Sequence, residues 1–311
     1  MAYELKRIND AIRSDPKGFL EECDAEYQRK IDAAAEKIIQ NLPNSPLVLL
    51  SGPSGSGKTT TAMKIDQALE KRGIITQAIA MDNYFQTVSP EATPRTPEGT
   101  YDFESPLCMD MDLLNEHFDA LSQHKEIRIP HYDFCRQMRD TSRCTPLQLK
   151  ENEVAVFEGI HALNDEIAGK HPDASTIYIS ARSNIMDDSR LVFKGTWMRL
   201  VRRAVRDLNF RGSDVLYTLA MWSNVRRGEK LYISPFKNRA KIKLDSSLPY
   251  EVSVMKQFAK PLFEAVPQEN PRRQELLEMI RAFDELEDID SELVHPDSLL
   301  REFIGGGSYS Y

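Results

Sequence analysis

The chain is mostly amphipathic, and a few short stretches stand out because every side chain in them is apolar. Residues 47–50 read Leu-Val-Leu-Leu and residues 154–157 read Val-Ala-Val-Phe. A run of four that does not alternate predicts a strand covered on both faces, as in a parallel sheet under helices. Residues 74–81 predict a second strand after the stop at Gly73, residues 176–179 a further one and residues 240–244 the last. Between them apolar residues return every three or four positions. Residues 58–71 and 195–211 read as helices, as do residues 109–124 with Leu113, Leu114, Phe118 and Leu121 on one face. Strands alternating with helices predict an α/β fold with a mostly parallel sheet.

The ends add helices to this frame. Phe19, Leu20, Cys23, Tyr27, Ile31, Ala34, Ala35, Ile38 and Ile39 recur at helical spacing and predict one long helix packed on the central domain. Beyond Tyr250 the chain reads as helical to about Glu287. Residues 299–304 form a last short element before a glycine tail, Gly305 to Gly307, expected to be mobile. The expected organisation is a helical extension over 1–45, a central domain over 46–264 and a C-terminal helical extension and tail over 265–311. Residues 83–102, with three prolines, lack a helical or strand period. A loop this long is more often a lid or binding segment than a connector. Residues 127–134 suggest an extended arm carrying Tyr132 and Phe134.

At 311 residues the chain can bury the core of one large α/β domain with additions. Forty basic against 48 acidic side chains, a net charge of −8, argue against general nucleic-acid binding. Four cysteines without a CxxC pair suit reduced thiols in a cytoplasmic protein. The first fifteen residues lack the apolar core of a signal peptide, and no apolar run approaches the roughly 20 residues of a membrane span. The expectation is a soluble protein that binds a small molecule and neither membrane nor nucleic acid. Its oligomeric state, a homo-oligomer included, stays open.

Chemistry enters directly after the first strand. Gly52-Pro53-Ser54-Gly55-Ser56-Gly57-Lys58-Thr59-Thr60 is GxxxxGK followed by Thr, between a strand and a helix, which is the context a P-loop requires. Glycines at 52, 55 and 57 let successive backbone N–H groups turn toward phosphate oxygens. The helix adds its positive end. Lys58 suits the β- and γ-phosphates and Thr59 offers a hydroxyl to Mg²⁺. The expected nucleotide set is Gly52, Ser54, Gly55, Ser56, Gly57, Lys58, Thr59 and Thr60, with ATP and Mg²⁺.

Asp82 and Glu158 each follow an apolar strand directly, at the end of the sheet where ligands gather in open α/β folds. A carboxylate there also serves as a helix cap. Two of them with a P-loop suit a base for an acceptor hydroxyl, Asp82, and a Mg²⁺ ligand, Glu158. Arg199, Arg202, Arg203 and Arg206 lie at helical spacing, with Arg211-Gly212 closing the helix. Such a stripe is usually a solvated face. Beside a triphosphate it reads as a lid over about residues 195–230, with Arg202 and Arg203 on the nucleotide and Arg206 and Arg211 stabilising the group in transfer. The DxxG and NKxD motifs of a GTPase do not follow the loop, and HExxH is absent. ATP-dependent transfer to a small molecule leads, with a non-catalytic ATP-binding scaffold as the alternative from another class.

The ordered set GPSGSGKTT, MDNYF, YDFESP, PHYDF followed by Arg139, VFEGIHALN and RLVRRAVRDLNFRG resembles the uridine kinase branch of the phosphoribulokinase/uridine kinase family. Met221-Trp222 through Gly228-Glu229, Tyr232-Ile233-Ser234-Pro235, Tyr250-Glu251 and the ending Ser298 to Gly306 more narrowly resemble bacterial nucleoside kinases described as uridine kinase-like. The resemblance implies an ATP:nucleoside 5′-phosphotransferase of nucleoside salvage that uses Mg²⁺. It implies that Asp82 receives the 5′-hydroxyl proton and that Tyr84 belongs to the acceptor pocket. Asp102 and Phe103 would border sugar and base, and Tyr132 and Phe134 would pack on the nucleobase. Arg139 would close that arm, and Arg202, Arg203, Arg206 and Arg211 would form the lid. Two positions depart from the pattern. Gln137 stands where uridine/cytidine kinases place a His on the pyrimidine, and its amide offers a different donor and acceptor pattern. Ser213 stands where another lid arginine is usual. The acceptor thus stays open between a nucleoside and another small alcohol or sugar phosphate.

Overall fold

The structure, a computed structural model, describes residues 2–309. The chain opens with strand β1 (Ala2–Glu4) and helices α1 (Leu5–Ser14) and α2 (Pro16–Asn41). Strand β2 (Leu47–Ser51), α3 (Lys58–Glu70) and β3 (Ile75–Ala80) follow, then α4 (Met111–Ser122) and a hairpin of β4 (Ile127–Asp133) and β5 (Met138–Leu147). After β6 (Glu153–Glu158) and β7 (Ser175–Ser180), a second hairpin of β8 (Asn184–Asp187) and β9 (Arg190–Phe193) leads into α5 (Gly195–Arg211) and α6 (Val215–Gly228). The last elements are β10 (Ile242–Asp245), α7 (Glu251–Glu264), α8 (Arg273–Asp284) and α9 (Arg301–Ile304).

Five strands form an all-parallel sheet in the order β10-β7-β2-β6-β3. Successive side chains on a strand point to opposite faces, and here both faces are covered. Val48, Leu50, Val154, Val156, Ile177 and Ile179 join one core with residues of α2, α3, α5 and α7. Leu47, Leu49, Ala155, Phe157 and Tyr178 join a second core with Leu114 and Phe118 of α4. Two apolar environments explain why these strands do not alternate.

The chain ends enter the same cores. Leu20, Tyr27 and Ile31 of α2 share a cluster with the central strands, and so do Phe283, Leu299, Leu300 and Phe303. The N-terminal region holds two helices where periodicity predicted one. Asp15 ends α1 and caps α2 by accepting from Gly18 N–H at 3.0 Å, with Pro16 in the first turn. The helical stretch after Tyr250 is likewise broken between α7 and α8, where Pro267 and Pro271 stand. The glycine tail, expected to be mobile, leads into a packed end. Ser308 N–H donates to Pro296 O, and the Tyr309 hydroxyl donates to Gln67 of α3. Sequence periodicity missed the small sheet of order β1-β8-β9, whose strands are too short to show a period.

All four cysteines are free. Cys23 and Cys108 are buried, whereas Cys135 and Cys144 are exposed, in the turn and on the second strand of the β4–β5 hairpin. Among the described residues no helix is long and apolar enough to cross a membrane.

Candidate active site

Three neighbouring strands end together. Leu50 of β2 and Ala80 of β3 both stand opposite Glu158 of β6, and adjacent strands are about 4.8 Å apart. The glycine turn after β2, Glu158, and Asp82 in the 3₁₀ turn Met81–Tyr84 therefore leave the sheet side by side. Lys58 Nζ lies 3.8 Å from Glu158 Oε1. Asp82 is itself exposed at the strand end, but the protein crowded around it takes away part of its bulk water. That loss pushes its carboxyl above the usual range, against the pull of Lys58 and Arg211. Burial raises Glu158 as well, with Lys58 opposing and Asp82 and Glu302 reinforcing.

The turn itself is tightly held. Gly55 and Gly57 have φ of 73° and 75°, a region that L side chains rarely enter. A Cβ at Gly55 would lie 2.8 Å from Arg199 O, and one at Gly57 2.7 Å from Leu299 Cδ1. Ser54 Oγ accepts from Arg203 Nη1 at 2.8 Å, and Ser56 O accepts from Ser246 Oγ at 2.6 Å. Thr60 donates through N–H at 3.3 Å and Oγ1 at 2.5 Å to Glu302 Oε2. Nothing local in the sequence pointed to Glu302, which lies 242 residues from Thr60.

Aromatic side chains line the flank beyond Asp82. The Phe85 ring centroid is 5.7 Å from that of Tyr132 and 6.4 Å from that of Phe134, and Tyr132 and Phe134 are 5.0 Å apart. Phe85, Phe103, Leu107, Cys108 and Tyr132 line a small cavity here. Phe103 packs on Tyr101 at 5.7 Å and is partly exposed. Phe85 was missed because Tyr84 drew the assignment of the MDNYF segment.

The model of the phosphoribulokinase/uridine kinase family matches residues 47–252, from β2 to the first turn of α7. The chain belongs to this family. It is similar to a uridine kinase of Brevibacillus brevis, 30% identical over 203 residues, which are 64% of this chain and 84% of that protein. It is also similar to a uridine kinase of Schizosaccharomyces pombe, 30% identical over 174 residues, 56% of this chain and 34% of that protein. The chain thus spans about a third of the yeast relative. A solved structure described as a possible uridine kinase from Bacillus stearothermophilus is 18% identical with a TM-score of 0.46, covering 71% of this chain and all of that one.

As a phosphoribulokinase/uridine kinase family member the chain is a P-loop small-molecule kinase, and several residues assigned from motifs take other places in it. Tyr84 is fully buried, its hydroxyl 2.8 Å from His117 Nδ1, and so lies beneath the aromatic flank. Gln137 is an exposed residue of the hairpin turn, with φ of 52° and its carbonyl accepting from Val88 N–H. Arg139 pairs with Asp110 at 2.8 Å and donates to Tyr84 O, so it fastens the arm to the domain. Asp102 is buried, paired with Arg227 of α6 at 2.7 Å, and accepts from the Tyr232 hydroxyl. That pairing ties the acceptor flank to α6, and Arg227 was not singled out from the sequence.

The arginine stripe divides by helix face. Arg202 is fully buried and bonded to Glu251, Gly55 O and Ser246 O, so it supports the glycine turn from beneath and is no lid residue. Arg199 is likewise buried against Glu229. Arg203, Arg206 and Arg211 instead gather on one buried carboxylate, Asp207, at 3.1, 2.9 and 3.8 Å. One carboxylate does not neutralise three guanidinium groups, and the Arg211 charge is felt at Asp82. Gly212 ends α5 with φ of 63°, the left-handed cap expected after Arg211.

Oxygen donors suit a hard divalent cation. Thr59 offers a hydroxyl, and Glu158 is a carboxylate whose nearest cation is a lysine at 3.8 Å rather than a close ion pair. Among the described residues no group of three or more His, Cys, Asp or Glu forms a metal site. Mg²⁺ takes one or two protein oxygens and completes its shell with phosphates and water, and the Thr59 hydroxyl and Glu158 carboxylate are oxygens of that kind.

Proposed function

We propose that the chain transfers the γ-phosphoryl group of ATP to the 5′-hydroxyl of a uridine- or cytidine-like nucleoside, in nucleoside salvage. The observation that carries this reading is the shared edge of β2, β6 and β3, with Lys58 between the glycine turn and two carboxylates of raised pKa. In it, Asp82 takes the proton of the acceptor hydroxyl. Lys58 and backbone N–H groups among residues 54–59 hold the phosphates, and Arg206 and Arg211 stabilise the charge spread over the group in flight. Thr59 and Glu158 would hold Mg²⁺, which would neutralise charge on the β- and γ-oxygens. Phe85, Tyr132 and Phe134 offer a ring-sized acceptor a stacking surface. Two uridine kinases among the relatives support a nucleoside acceptor.

The exposed turn position of Gln137 favours a second reading, in which the acceptor is another small alcohol or a sugar phosphate. A panel of ribonucleosides, deoxyribonucleosides, sugar phosphates and simple alcohols, with products identified by mass spectrometry, tests both. Phosphorylation of a nucleoside at the 5′ position supports the first. Transfer to a non-nucleoside alone supports the second, and transfer to none of them overturns both.

A further inference from the structure

The segment that follows α8 returns to the glycine turn. Leu299 packs against Gly57, close enough to leave no room for a Cβ there. Phe303 is fully buried, with its ring 5.1 Å from the Arg202 guanidinium carbon beneath the turn. Between them the Glu302 carboxylate accepts from both the N–H and the hydroxyl of Thr60. Thr60 is the third residue of α3, so its N–H is one of the donors a helix cannot satisfy within itself. In a P-loop such donors serve the α- and β-phosphates, while the lysine reaches toward the γ-phosphate. The carboxylate is therefore an anion at the nucleoside end of the expected phosphate track. Lys58, Glu158 and Asp82 stand at the other end.

This segment is anchored. Leu299, Leu300 and Phe303 are fully buried, Asn209 of α5 donates to Phe303 O, and Arg301 donates to Ser291 O and Val294 O. The Glu302 charge also reaches the site, acting on Glu158 and Arg211. A nucleoside triphosphate brings a phosphate to the Thr60 end and must lead its sugar and base away from there. Tripolyphosphate has the same span, but with no sugar attached its last phosphate is free to turn away from Glu302 while the other two lie over Lys58 and the glycine turn.

We infer that Glu302 is a selectivity residue of the donor site, standing in for the phosphate nearest the nucleoside and weakening nucleotide donors relative to base-free phosphate chains. The inference rests on the reading of residues 52–60 as the donor site. Its test is calorimetric titration of the 311-residue chain with Mg·ATP and with Mg·tripolyphosphate, without acceptor, for wild type, Glu302→Gln and Glu302→Ala, with thermal melts to verify folding. The Gln variant keeps an oxygen for Thr60 but removes the charge. It should bind ATP about tenfold tighter or more, a 1.4 kcal/mol gain, with tripolyphosphate affinity far less changed, and the Ala variant should move the same way. Wild type itself should bind tripolyphosphate at least as tightly as ATP, a comparison that needs no variant. Unchanged or weaker ATP binding by a folded Glu302→Gln chain, or a clear wild-type preference for ATP, would reduce Glu302 to a helix cap and overturn the inference. If neither anion binds, or if Lys58→Ala leaves both affinities intact, the donor-site reading itself fails.

Discussion

At Asp82 the loss of bulk water to the surrounding protein and the charges of Lys58 and Arg211 act in opposite directions, and the first prevails. A base works only when deprotonated, so kcat/KM should rise with pH along a limb displaced above the usual carboxylate range. Asp82→Asn should lower kcat by roughly 10²- to 10⁴-fold and abolish that limb while calorimetry still registers ATP. Glu104, beside Gly228, carries a different signature. Burial raises its carboxyl from 4.5 to about 7, against the pull of Arg203. The folded state then holds a proton that the unfolded chain releases, so its contribution is complete below pH 4.5 and is lost as pH rises to about 7. Glu104→Gln should gain in melting temperature over wild type across that window and keep the difference above it. Melts of both chains in matched buffers measure this. Of the residues in the site, Asp82 and Glu158 were legible because each directly follows an apolar strand. Glu302 was not, since a contact across 242 residues leaves no trace in local pattern.

Helix α5 shows what an arginine stripe does not disclose. Spacing places Arg199, Arg202, Arg203 and Arg206 on a helix, but only packing decides which face the domain covers. Glu251, which neutralises Arg202, sits 49 residues further on. The two faces should respond differently to substitution. Arg202→Ala leaves Glu251 buried without its partner and should cost about 3–5 kcal/mol in chemical denaturation. Arg206→Ala and Arg211→Ala should lower kcat with little change in melting temperature. In the β4–β5 arm, Phe134→Ala should raise the acceptor KM roughly tenfold, the scale of one lost stacking contact of about 1–3 kcal/mol, and leave the KM for ATP in place. The arm was visible in sequence only as aromatics on an extended run. Its hairpin partner β5 is mostly exposed and carries little apolar signal.

Across the whole molecule, the central sheet was readable because burial on both faces writes uninterrupted apolar runs into β2 and β6. The role of the chain ends was less visible, since a helix periodicity does not say what the helix covers. Val294, Leu299, Leu300 and Phe303 belong to the core that contains the central strands. At about 1.5–3 kcal/mol for each buried side chain, their loss rivals the 5–15 kcal/mol that holds a typical domain together. Truncation after Ile289 should therefore abolish a cooperative melt, while the full chain unfolds in one calorimetric transition. The distribution of the four cysteines has a practical consequence of a different kind. Both accessible sulfurs ride on the aromatic hairpin and the other two are shielded, so a maleimide fluorophore added to the unmodified protein would mark that hairpin alone, and its emission would register ligand arrival without any engineered label.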